Sequence, residues 1–165
     1  MVTVETSRVT IQRASGPTDD VRLLVEELER ELAQHYPPEH RHGLALAALF
    51  EPHIRFFTAR LGDSPVGCGG VALFSDFAEL KRMFVRPVAR GGGVADAILA
   101  RLTAEAQAAG KTILRLETGT QQAAAIRFYQ RNGFARRDAF PPYSTMEPHA
   151  VATSVFFEKQ LAAKP

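Results

Sequence analysis

The stretch from Leu80 to Leu99, LKRMFVRPVARGGGVADAIL, decides how the rest of the chain is read. A strand-like run leads into Arg86-Pro87-Val88-Ala89, three glycines follow Arg90, and Gly91 to Ala109 carries a helical pattern with Val94, Ile98 and Leu102 one turn apart. Consecutive glycines make a poor helix start, but they let backbone amides approach a ligand closely. Amides at a helix N-terminus are unpaired and the macrodipole adds partial positive charge there, which suits a phosphate. Lys81, Arg82, Arg86 and Arg90 sit in this region with no acidic residue among them, so it reads as an anion-attracting patch. A P-loop would need Gly-Lys-Ser/Thr, which is missing, and the last glycine of a dinucleotide fingerprint is Asp96 here. A ligand-free strand-to-helix turn is the plainer alternative.

Upstream, Ile54 to Leu61 and Val66 to Phe74 read as strands separated by the turn Gly62-Asp63-Ser64-Pro65, and Phe77 to Val85 as the next strand. Downstream, Gly110 stops the helix, Thr112 to Glu117 is a strand and Gln121 to Asn132 a helix. Gly133-Phe134 opens another extended segment. After the Pro-rich stretch Phe140 to Pro148, Thr153 to Phe157 is the last strand. Toward the N-terminus, Val9 to Arg13 is a strand. Thr18 or Asp19 caps a helix from about Asp20 to His35, with Val21, Leu24, Val25, Leu28 and Leu32 at helical spacing. Tyr36-Pro37-Pro38 ends it, and a short helix is expected over Leu44 to Phe50. Hairpins imply antiparallel pairing and β-α-β crossovers parallel pairing, so the expected fold is α/β (an α+β mixed sheet) with helices on both faces.

At 165 residues the chain suits one domain spanning 1–165. The apolar fraction of 45% and charged fraction of 23% are ordinary for a globular protein, and a net charge of +2 is too small for a polycation seeking nucleic acid. The lone cysteine, Cys68, excludes an intrachain disulfide and suits a reducing compartment. Met1 to Arg8 lacks the apolar run of a secretory signal, and nothing approaches the roughly 18 apolar residues of a membrane span. A cytoplasmic protein with no membrane partner is expected.

Two motifs carry a resemblance. Arg90-x-x-Gly93-x-Ala95 resembles the R/Q-x-x-G-x-G/A loop of the GNAT superfamily of N-acetyltransferases, which binds the pyrophosphate of acetyl-CoA. Glu79 to Val85 followed by Pro87 looks like the strand preceding that loop. Ala125-Ile126-Arg127-Phe128-Tyr129-x-x-x-Gly133-Phe134 is similar to the family's A-x-x-(F/L)-Y-x-x-x-G-F helix-strand motif. Either motif alone is weak; both in order are a strong signal, covering Arg55 to Phe134. Gln122 departs from the asparagine that many relatives carry three residues before the alanine, though its longer amide could still reach the cofactor arm. The resemblance implies a central mixed β-sheet of about seven strands flanked by about four helices. It also implies acetyl-CoA as cosubstrate, held by Met83, Phe84, Val85, Arg90, Gly91, Gly92, Gly93, Val94, Ala95, Gln122 and Phe128.

Acetyl transfer to an amine needs held phosphates, a polarised thioester carbonyl, a deprotonated amine and a protonated leaving thiolate. The resemblance assigns the carbonyl to a backbone N–H in a splayed strand around Met83 to Val85, worth on the order of 3 kcal/mol. An alkyl ammonium has a pKa of about 10, so a base must take its proton. Glu79 is the first candidate, at a position where relatives often place a glutamate base, and Glu117 the second. Ion pairing with Lys81, Arg82 or Arg115 on a solvated face is the alternative for both. Tyr129 is the candidate acid for the thiolate, against a role in core packing beside Phe128 and Phe134.

Cys68, within Gly67-Cys68-Gly69-Gly70, reads better as a buried small hydrophobe than as an acyl-carrying nucleophile. His35, Glu39, His40 and His42 lack recognised ligand spacing, so no metal is expected. Their loop could rim an acceptor pocket, as could Phe140-Pro141-Pro142-Tyr143. The expected activity is acetyl transfer to a primary amine of a small molecule. Protein N-terminal or lysine acetylation, or a non-catalytic acyl-CoA-binding module, are the alternatives. No nucleic-acid partner is expected, because exposed aromatics interleaved with the basic patch are missing. Exposed edge strands near the C-terminus would allow a homodimer.

Overall fold

The computed structural model describes residues 8–163. Seven strands form one mixed sheet: β1 (Val9–Ala14), β2 (Ile54–Leu61), β3 (Ser64–Leu73), β4 (Ala78–Val85), β5 (Ile113–Gly119), β6 (Ala135–Arg137) and β7 (Ser154–Gln160), in the order β1-β2-β3-β4-β5-β7-β6. Three α-helices accompany it: α1 (Asp19–Ala33), α2 (Val94–Ala108) and α3 (Ala123–Arg131). β1 to β4 run antiparallel through short connections, β4 and β5 are parallel across α2, and β5, β7 and β6 are antiparallel. No helix among the described residues is long and apolar enough to cross a membrane.

Each face of the sheet has its own core, because successive side chains of a strand point to opposite faces. Phe57, Leu80, Leu114 and Leu116 pack with Ile98 and Leu102 of α2 and Tyr129 of α3. Phe56, Cys68 and Phe84 pack with Val21, Leu24, Val25 and Leu28 of α1. Thr18 caps α1 by accepting from Val21 N at 3.4 Å, and Asp19 and Asp20 in the first turn face the positive end of its dipole. Cys68 is fully buried, its Sγ 3.4 Å from Arg82 O, and burial pushes its thiol up to about 12. That leaves no reactive thiolate near neutral pH, and the residue serves as core.

The number of helices differs from expectation. Leu46–Phe50 is a 3-10 turn, not the α-helix expected over Leu44 to Phe50; it has no side-chain cap and lies between Gly43 and Pro52, too short to repay nucleation. α2 begins at Val94 rather than Gly91, because Gly91 and Gly93 adopt φ of +83° and +84°, and Gly93 is its left-handed N-cap. The β2–β3 turn is tighter than expected, since Ser64 and Pro65 already pair with Leu61 and Arg60.

Two irregularities in β4 shape the site. Its parallel pairing with β5 is confined to Ala78↔Leu114 and Glu79↔Arg115, after which the strands part. Against β3, Gly70 pairs with Lys81 and Cys68 with Phe84, so Gly69 alone faces both Arg82 and Met83. This is a β-bulge, and Arg82 takes φ +56° to accommodate it. Gly69 is needed opposite the bulge: a Cβ there would come within 2.8 Å of Met83 Sδ and Ile98 Cγ2. The bulge removes one residue's backbone from the ladder where β4 leaves β5.

Candidate active site

Beside the parting of β4 and β5 lie two adjoining cavities. One is a cleft of about 540 Å³ running from the glycine loop to α3. Its walls include Met83, Phe84 and Val85 of β4, Arg90, Gly91, Gly93, Val94 and Ala95 at the head of α2, Gln122 at the N-cap of α3, and Phe128 and Tyr129 of α3. Gly92 is exposed in the loop and does not line it. The first amide here with a backbone acceptor is Ala97, bonded to Gly93 O at 3.1 Å; those of Gly91 to Asp96 have none. Six unpaired amides at the positive end of a fifteen-residue helix fit a pyrophosphate.

The cations of the basic patch are each spoken for. Arg86 Nε lies 2.9 Å from Glu27 Oε2, Arg82 pairs with Glu29, and Arg90 Nη2 lies 2.9 Å from Glu31 Oε1. Three of the four cations therefore meet acidic side chains of α1, and the backbone of the loop is the anion-attracting element. Lys81 goes elsewhere.

The other, a smaller cavity of about 130 Å³, is lined by Glu79 and Lys81 of β4, Glu117 of β5, Tyr36 beyond α1, His42, and Tyr143 from the loop before β7. Leu28, Met83, Gln122, Ala125 and Tyr129 line both cavities, so the two meet at these residues. Glu79 is 1% exposed. Its Oε2 accepts from Tyr143 Oη at 2.7 Å and lies 3.0 Å from Lys81 Nζ, which donates to Tyr143 Oη at 2.7 Å. Its Oε1 is buried with no partner. Glu117 Oε2 accepts from Ser154 Oγ at 2.6 Å. His42 Nε2 donates to Ala150 O at 2.6 Å and its ring meets Tyr143 edge-on, tying the two rim loops together. Tyr36 Oη accepts from Gln121 N at 2.9 Å over Gly119, where a Cβ would run into the Tyr36 hydroxyl.

Burial sets the electrostatics. It raises the Glu117 carboxyl above the ordinary range and Glu79 adds to the shift, while Ser154, His42 and Lys81 oppose it. Burial, then the charge of Glu117, pushes the Tyr129 phenol up, so it keeps its proton throughout the working range. Tyr143 is likewise raised by burial and then by Glu79, consistent with its role as a donor.

Glu79, Glu117 and Tyr129, far apart in sequence, thus converge on one cavity, and the residues expected around a cofactor line the other, Gly92 excepted. Lys81, counted in the phosphate patch and named as an alternative ion-pair partner of Glu79 on a solvated face, pairs with Glu79, whose carboxylate is buried. Sequence reasoning did not identify Ser154, whose spacing from the motifs carries no local signal, and it reached Tyr36 only as the first residue of a candidate rim loop. Both proposed rim loops line the smaller cavity, through His40 to Gly43 and Tyr143.

Residues 21–134 match the model of the acetyltransferase (GNAT) family. The chain belongs to that family and is an acetyl-CoA-dependent acyltransferase. An IAA acetyltransferase from Azospirillum brasilense is 46% identical over 155 residues, covering 93% of this chain and 98% of the relative. A Klebsiella pneumoniae structure, described as a candidate acyl-CoA N-acyltransferase, superposes with a TM-score of 0.75 at 32% identity, covering 94% of this chain and 99% of that one. The PaiA N-acetyltransferase of Thermoplasma acidophilum in complex with coenzyme A shares the fold, with a TM-score of 0.68 at 17% identity over 93% of this chain and 99% of that one.

Proposed function

We propose that this acyltransferase moves the acetyl group of acetyl-CoA directly to the primary amine of a compact small molecule, with residues 1–165 acting as one acetyltransferase domain. One observation carries the reading: the acceptor cavity of about 130 Å³ holds two carboxylates and meets the cofactor cleft at Met83 and Tyr129. So small a volume favours a compact acceptor over a folded protein surface. The relative named as an IAA acetyltransferase, aligned over 98% of its own length, supports acetylation of a small molecule.

The amine enters as ammonium, since its pKa is about 10, and gives one proton to a carboxylate of the pocket. Its nitrogen lone pair attacks the thioester carbonyl carbon, forming the C–N bond as the C–S bond breaks. A backbone N–H of Met83 to Val85, beside the bulge, donates to the carbonyl oxygen as charge develops there. Tyr129 donates a hydrogen bond to the departing sulfur. With its phenol raised and a thiol pKa near about 8.5, outright proton transfer from Tyr129 is uphill. The second nitrogen proton therefore leaves through water as the sulfur acquires one. The sum is an amide, free coenzyme A thiol and one released proton.

Coenzyme A release from acetyl-CoA, measured with pooled amino acids, polyamines, aminoglycosides and short peptides, tests this. Release with a small-molecule pool, lost in Tyr129→Phe, is the expected result. Release with peptides alone would replace the acceptor class, and silence with every pool would overturn the reading.

A further inference from the structure

Resting on that reading of the pocket, we propose that Lys81 and Tyr143 are positioning residues. They commit Glu79 to docking the incoming ammonium and leave the proton to Glu117.

The geometry of the two carboxylates is unequal. Lys81 Nζ, Tyr143 Oη and Glu79 Oε2 form a closed triangle with edges of 2.7, 2.7 and 3.0 Å, in which Tyr143 Oη accepts from Lys81 and donates to Glu79. Protonating Glu79 at its unpartnered Oε1 would leave the contacts of Oε2 in place but take from the Lys81 ammonium, itself 12% exposed, its counter-charge. Removing one partner of a buried pair is among the costlier changes a protein suffers, so the geometry keeps Glu79 as the counter-charge of Lys81. It is a good dock, because its Oε1 is buried against the cavity and lacks a donor. Glu117 has no cation in contact, and among the described residues Ser154 is its one hydrogen-bond donor. It can accept a proton and shed it without dismantling an ion pair.

The charged and titratable groups facing Glu117 are Glu79 and Lys81 from β4, His42 from the loop after α1, Tyr36, Tyr129 from α3 and Tyr143. Lys81 lowers the proton affinity of Glu117 and Glu79 raises it. Removing one or the other must therefore move Glu117 in opposite directions.

The test is carboxyl NMR on protein labelled at glutamate Cδ, titrated without acceptor, with Glu117→Gln identifying the resonance. Lys81→Met should move the Glu117 titration to higher pH and Glu79→Gln to lower pH, each by about 0.5 unit or more, a threefold change in proton affinity. Lys81→Arg should restore the wild-type position. Because Lys81→Met strands a buried carboxylate, the double variant Lys81→Met/Glu79→Gln, which removes both charges together, keeps the test open if the single variant fails to fold. It should titrate near wild type. Shifts of the same sign, or no shift in either single variant, would overturn the proposal. In coenzyme A release with whichever pool is active, Glu117→Gln should lower kcat about a hundredfold and Glu79→Gln should act mainly on acceptor KM; the reverse pattern would also overturn it. The NMR arm needs no acceptor, so silence toward every pool would sink the acceptor reading while the titrations still decided this one.

Discussion

Arg90, which opens the glycine loop, is tied to Glu31 of α1, its Nη2 2.9 and 3.1 Å from the two carboxylate oxygens. Both residues line the cofactor cleft. A phosphate arriving at the loop amides thus meets a carboxylate that repels it and holds the nearest arginine. Glu31→Gln should tighten coenzyme A binding about threefold, a modest gain because the pair is partly exposed and screened. Calorimetric titration with coenzyme A checks this, and weaker binding would mean that Glu31 organises the loop instead of competing for it.

Gly93 caps α2 at φ +84°, a conformation that costs a residue with a Cβ about 1 kcal/mol. No heavy atom lies within 4 Å of the Cβ that alanine would add, so crowding adds nothing to that cost. Gly93→Ala should lower stability by about that amount and weaken coenzyme A binding about fivefold as the loop relaxes. Chemical denaturation and the same calorimetric titration read the two effects, and unchanged binding would remove the loop geometry from cofactor recognition.

Tyr129 stands where the two cavities meet. Tyr129→Phe keeps the ring in its core and deletes the hydroxyl, so turnover should fall at least about tenfold with coenzyme A affinity nearly unchanged. A fully active Phe variant would take the hydroxyl out of the reaction.

Gly119→Ala would drive Tyr36 from its place over β5, where its hydroxyl accepts from Gln121 N. Since Tyr36 lines the acceptor cavity and not the cofactor cleft, acceptor KM should rise about tenfold while coenzyme A affinity holds. Parallel losses of both would show that the change disturbs β5 as a whole.

The raised Glu117 carboxyl also has a consequence for stability. A group that binds its proton more tightly folded than unfolded contributes nothing below its ordinary pKa. It destabilises progressively as pH rises from that value, and the full cost is present above the raised one. Glu117→Gln, neutral at every pH, should therefore raise Tm at pH 8 more than at pH 5. Thermal scans at the two values decide it, and an equal or opposite change would contradict the sign of the shift.

The local part of this protein was legible in its sequence. Glycines after Arg90, the apolar spacing of α1 and α2, and the Phe128-Tyr129 helix ahead of Gly133 each depend on neighbours a few positions away, where backbone sterics and helical periodicity act. The start of α2 was misjudged because the same glycines that mark the loop also refuse the helix. What the cations would do was legible only in the pairing of Lys81 with Glu79, and there on a solvated face rather than in a buried cavity. Arg82, Arg86 and Arg90 found Glu29, Glu27 and Glu31, and Lys81 found Tyr143 across 62 positions and Glu79 beside it. Tyr143 reaches Glu79 across 64 positions and Ser154 reaches Glu117 across 37. Those pairings exist because the sheet sets β7 beside β5 and parts β4 from β5 after Glu79. Strand order, register and the bulge at Arg82 are choices of the whole packed chain, made where burying two cores outweighs any local preference. Sequence determined the glycine turn ahead of α2; tertiary structure decided which charges surround it and which face the cavity of Glu79 and Glu117.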